Sequence, residues 1–145
     1  MNVMPGPRCV VVGVDGSPNS IAALRRAAAE ARRRHAVLDV IHVLGPRGSR
    51  PRLVRAVVEW LRLRRLAARE IPRSRQISTR LRVPFGDPGQ VLTAASRRAE
   101  LLVVGAREHS EHGNPLGGAI VSAVLDRSAC EVVVCADQAA SRQPS

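Results

Sequence analysis

Lysine and tyrosine are absent from the 145 residues, and the aromatic set is Trp60 and Phe85 alone. With so few rings the chain has almost nothing on which to stack unpaired bases, which counts against a single-stranded nucleic-acid binder. No stretch approaches the run of about 18 apolar residues that a membrane-spanning helix requires. The opening MNVMPGPRCVVVGVDG does not read as a secretory signal, because its apolar stretch is short and meets Asp15. A cytoplasmic protein without a membrane partner is the expectation. Cysteine is scarce. Cys9, Cys130 and Cys135 are odd in number, lack CxxC spacing and lie in or beside apolar runs, so buried free thiols are expected. There is no Gly-Lys-Ser/Thr loop, no GxGxxG turn, no nucleophile elbow and no pair of carboxylates in one crevice. A catalytic set is therefore missing, and efficient turnover is not expected.

What is abundant is arginine. All 23 basic residues are arginine, and the net charge is +11. So complete a replacement of lysine fits a GC-rich coding bias better than selection at each site. The placement is uneven all the same. Residues 25–82 hold 17 arginines against four acidic residues, net +13, and the remainder sums to −2. Such asymmetry suits an arginine-rich face that attracts anions or nucleic acid, or a solvated face with no such role.

Periodicity divides the chain regularly. Residues 8–14 (RCVVVGV) are a β-branched run of the kind found in buried parallel strands, ended by Asp15-Gly16-Ser17-Pro18. Ser17 or Asn19 can cap a helix to about Arg34, with Ile21, Leu24, Ala28 and Ala31 on one stripe. A strand at 37–44 and a loop at 45–51 lead to a helix at 52–70, whose apolar positions include Leu53, Val57, Trp60, Leu61 and Leu66. Strict alternation over 77–83 reads as an edge strand with one wet face. A helix at 88–99, a buried strand at 101–106, a helix at about 117–127 and a strand at 131–135 complete the series. Alternating strands and helices with right-handed crossovers predict an α/β fold: a doubly wound five-stranded parallel sheet, order 3-2-1-4-5, with helices on both faces. One domain over 8–137 is expected, between a tail at 1–7 and a disordered tail at 138–145.

Two loops beyond strand C-termini carry unusual residues. Asp15 can accept hydrogen bonds from a ribose hydroxyl or an adenine amine, or it can cap the following helix. The loop from Gly105 to Gly118 precedes a helix start, where backbone N–H groups can face an anion. Within it Glu108-His109-Ser110-Glu111-His112 offers zinc-type ligands, or simply a solvated polar loop. His35 and His42 read as structural, one at a helix end and one in a strand.

The order VVVGVDGSPNS, AVLDVIHV, GDPGQVL, AELLVVGA, GGAIVSAVL, CEVVVC resembles the universal stress protein family over about residues 8–136. The resemblance implies an adenine nucleotide alpha hydrolase-like fold and a nucleotide loop Gly-x2-Gly-x9-Gly-Ser/Thr. Gly105 and Gly118 keep its first and third glycines, whereas Glu108 replaces the second and Ala119 the hydroxyl residue. By that resemblance the nucleotide-binding positions are Gly13, Asp15, Val43, Val104, Gly105, Gly118, Ala119 and Ile120, with Asp15 at the ribose and the Val43 backbone at adenine. Both departures act at the phosphates, so ATP is implied as a weak ligand or none. The function implied is that of a stress-response binding or regulatory protein; the alternatives are an ATP switch with slow hydrolysis and a nucleic-acid-associated protein. Members commonly dimerise through the last strand, and Glu131–Cys135, apolar after Glu131, is an edge that needs a partner.

Overall fold

The computed structural model describes residues 8–46, 48–71, 77–106 and 119–135. Five short strands lie parallel: β1 (Cys9–Gly13), β2 (Val37–Ile41), β3 (Thr79–Arg82), β4 (Leu101–Gly105) and β5 (Glu131–Cys135). Their order is β3-β2-β1-β4-β5, as the sequence predicts. The register sets Val11 beside Asp39 on one side and Leu102 on the other.

Four helices cover the sheet: α1 (Pro18–Arg33), α2 (Arg52–Glu70), α3 (Pro88–Ser96) and α4 (Ala119–Arg127). Alternate side chains of the strands sort into two cores. On one face Val10, Val12, Leu38, Val40, Leu101 and Val103 pack with Ala23, Leu24, Ala27 and Ala31 of α1 and with Leu63 of α2. On the other, Val11, Ile41, Leu102 and Val104 meet Leu92 of α3 and Val121 and Val124 of α4. The two arginine-rich helices therefore share a face, which follows from their crossovers running in one direction.

Helix ends follow local chemistry. Ser17 caps α1, its Oγ accepting the Ser20 N–H at 3.3 Å, so Asn19 is not the cap. At the other end Ala36 N–H donates to Ala31 O and His35 N–H to Arg32 O, with His35 at φ 53. This is a Schellman closure with histidine in the place usually taken by glycine. Asp87 caps α3, and that helix stops at Ser96, short of the expected 99. There Arg97, Arg98 and Ala99 each donate to the carbonyl three residues back, tightening the last turn.

β2 also ends earlier than expected, at Ile41. Leu44 still bridges Phe85 in the same register, but Pro84 lies opposite the gap and has no N–H to give. β3 is the predicted edge strand, with Thr79, Arg80 and Arg82 exposed.

One pairing was invisible to pattern reading. Asp39, 3% exposed in the middle of β2, accepts a two-pronged bond from Arg82, at 3.1 Å from Nε and 2.6 Å from Nη2. The carboxylate would otherwise be buried unpaired, at a cost that forbids the site. The thiols depart from expectation too. All three are free but only half-buried. Burial pushes each of them up from the ordinary thiol range, which keeps them protonated and unreactive.

Candidate functional site

At the point where the winding reverses, the C-terminal ends of β1 and β4 diverge and open a cavity of about 570 Å³. Val14, Asp15, His42, Val43, Gly105 and Ile120 lie around its mouth and walls, with Leu92 and Val121 among its apolar lining. Of the sequence-derived positions, Gly13, Asp15, Val43, Val104, Gly105 and Ile120 all line this one cavity. Gly118 and the Glu108–His112 cluster lie outside the described residues. For Ala119 the backbone is described, as the first residue of α4, and the side chain is not.

Asp15 sits in the turn between β1 and α1. Its Oδ1 accepts the Ser17 N–H at 2.9 Å, while Gly16, at φ 87, supplies the left-handed step that aims Ser17 into the cap. The Asp15 N–H in turn approaches Ser20 Oγ at 3.3 Å. Asp15 therefore does not cap α1, a role that Ser17 takes; it closes the turn before the cap and lines the cavity.

The rim opposite is set by where the β1–β2 ladder stops. Val14 N–H donates to Ile41 O at 2.9 Å. The next bond would run from Val43 N–H to Val14 O, but that carbonyl is taken by His42 Nδ1 at 2.7 Å. A carbonyl only accepts, so Nδ1 carries the proton. The other ring nitrogen of His42 faces Glu59 Oε2 on α2 at 3.5 Å. Val43 N–H and C=O, which alternation along the strand turns to the β1 side, have no backbone partner among the described residues. His42, read from sequence as structural, does tie Val14 to α2 and also lines the cavity.

Gly105 is required for packing. A Cβ there would lie 2.6 Å from Asn19 C and O and 2.7 Å from Ser20 N, all backbone atoms. The start of α1 is pressed against the end of β4, and Asn19 fastens the contact by donating from Nδ2 to Ala106 O. Asn19 is 4% exposed, and its Oδ1 has no partner among the described residues. Sequence reading weighed Asn19 only as a cap and missed this link.

Among the described lining residues Asp15 is the one carboxylate, and none is an arginine. At the start of α4 the described helix opens with Ala119, Ile120 and Val121, and amide groups at such an end suit an anion. Among the described residues no group of three or more metal-ligating side chains occurs, and no helix is long and apolar enough to cross a membrane.

The model of the universal stress protein family matches residues 7–136. A crystal structure of a universal stress protein in complex with cAMP is 27% identical and superposes with a TM-score of 0.64, covering 89% of this chain and 96% of that one. The universal stress protein from Archaeoglobus fulgidus in complex with dAMP is 22% identical, with a TM-score of 0.63 and coverage of 91% and 99%. A family member from Arabidopsis thaliana with AMP bound is 17% identical, with a TM-score of 0.61 and coverage of 96% and 97%. The last two establish likeness of fold alone.

Proposed function

Because the chain belongs to the universal stress protein family, we propose that it is a stress-response binding or regulatory protein that holds an adenine nucleotide by base and ribose, with a weakened grip on the phosphates. The observation that carries this reading is the Val43 backbone pair at the cavity rim, without a backbone partner among the described residues. Adenine offers an acceptor beside an amine donor, which suits an N–H and a C=O from one residue. Guanine presents a donor and an acceptor in the opposite sense and would leave both backbone groups facing like partners. Asp15 supplies an acceptor for ribose hydroxyls, and Leu92, Val104 and Val121 supply apolar walls for the ring. The solved relative in complex with cAMP supports an adenine ligand class.

The phosphate end is the weak end. Glu108 brings negative charge into the loop that would meet phosphate, and Ala119 lacks the hydroxyl donor. The amides at the start of α4 remain. Titration of nucleotide-stripped protein should therefore rank adenosine and AMP close to ATP, with guanosine far weaker. Glu108→Gly combined with Ala119→Ser should tighten ATP by about 1–3 kcal/mol and adenosine much less. Equal gains for the two ligands would mean that neither residue faces the phosphates. Pairing of two copies through Glu131–Cys135 is part of the same reading, supported by the half-buried valines at this sheet edge. A chain that stays monomeric in light scattering at high micromolar concentration would remove it.

A further inference from the structure

α2 carries an apolar stripe that faces away from the protein. Its buried residues are Leu63 and Ala67. Leu53, Val54, Val57, Trp60 and Leu61 are 76%, 44%, 51%, 38% and 47% exposed. At about 3.6 residues per turn these five fall within an arc of roughly 120°, turned about 100° from Leu63 and Ala67. The stripe runs for about 12 Å along the helix, at about 1.5 Å per residue. Single exposed apolar residues are ordinary, but five contiguous ones on one helix face are an interaction surface.

The charges beside the stripe choose the occupant. Arg64 stands over the Trp60 ring at 5.8 Å, in line with the stripe, and by helical spacing Arg65 and Arg69 fall just beyond its Val54 and Leu61 edge. None of the three has an ion-pair partner among the described residues. The two acidic residues of α2 are turned elsewhere, Glu59 to His42 and Arg62, and Glu70 to Arg25. A second copy would set these arginines against their own kind. A partner helix could pack here only with acidic residues placed to answer these arginines. A flat anionic surface meets both requirements at once. Apolar side chains and an amphipathic tryptophan enter the headgroup boundary while flanking arginines reach the phosphates.

We propose that the α2 stripe is a docking surface for an anionic lipid bilayer, on which α2 lies in the interface plane. The sequence offers no spanning segment and led to no membrane partner being expected; a surface-lying helix revises that expectation. The docking surface involves no residue of the nucleotide cavity lining.

Trp60 is the chain's single tryptophan, so its emission reports on the stripe directly. Full-length protein is mixed with phosphatidylcholine vesicles with and without about one-third phosphatidylglycerol, across a salt series. The expected result is a blue shift and quenching by brominated acyl chains with the anionic vesicles only, weakening as salt rises. Removing the charges of Arg64, Arg65 and Arg69 as glutamine should weaken binding by about fivefold each. Leu53→Ser with Val57→Ser and Leu61→Ser should abolish the shift while circular dichroism and the urea midpoint stay unchanged. An unmoved Trp60 overturns the proposal, as does vesicle binding without a shift. A shift that grows with protein concentration in the absence of lipid assigns the stripe to a second copy instead. A tighter shift with an acidic amphipathic peptide than with vesicles assigns it to a protein partner. Either result overturns the lipid assignment.

Discussion

α1 and α2 lie on the same face of the sheet, both rich in arginine, and they are held in opposite ways. α1 crosses above β1 and β4 and buries Ala23, Leu24, Ala27, Ala28 and Ala31. α2 lies toward the β3 edge, where the sheet runs out, and buries only Leu63 and Ala67. The arginines differ in the same sense. Those of α1 are largely answered: Arg26, Arg33 and Arg34 by Glu30, Arg34 also by Glu100 and Glu131, and Arg25 by Glu70. On α2 only Arg62 has an ion-pair partner among the described residues, which is Glu59. Position over the sheet decides which helix supports the fold and which one faces outward.

The largest expected effect tests the buried side of this contrast. Leu24→Ala on α1 should cost about 3 kcal/mol in urea unfolding, since Leu24 is fully buried and its neighbours cannot collapse fully into the space. Gly105→Ala should cost about 1–3 kcal/mol, because backbone atoms of Asn19 and Ser20 must retreat. Gly13→Ala should cost less, as the atom in its way, 2.8 Å off, is the flexible tip of Leu92. On the outward side Leu61→Ala should change stability by no more than about 0.5 kcal/mol. A loss comparable to that of Leu24→Ala would show that α2 packs inward after all.

The smallest effect concerns pH. Burial pushes the Glu30 carboxyl up, but hydrogen bonds from Arg33 and Arg34 outweigh it and hold the group below the ordinary carboxylate range. A lowered folded value stabilises the protein above the unfolded value of about 4.3, and the contribution is lost as pH falls through the folded value. The stability gap between the natural chain and Glu30→Gln should therefore be widest near neutrality and close in acid. A gap independent of pH would mean that Glu30 is not paired in solution.

The strand order was legible because each kind of strand has its own pattern. Continuous apolar runs mark β1 and β4, and alternation marks the edge at β3. The inward face of α2 was not legible. Its strongest periodic stripe, Leu53 to Leu61, is the one left outside, because the sheet edge accepts the flank with Leu63 and Ala67. Asp39 was hidden within the apolar-looking VLDVIHVL, since its partner Arg82 is 43 residues away and becomes a neighbour only through the β2–β3 pairing. The cavity positions followed from strand ends and family resemblance, but the part played by His42 depends on a ring reaching across to Val14. No local pattern encodes that.

The two borders of the sheet are unlike in what they can join. β3 presents exposed Arg80 and Arg82, so a further strand finds charge there. β5 presents Val132, Val133 and Val134 in an unbroken row. A molecule with one receptive border and one closed border is monovalent for strand addition. With the β5 border occupied, the border left among the described residues is the charged one at β3, which disfavours further growth through the sheet.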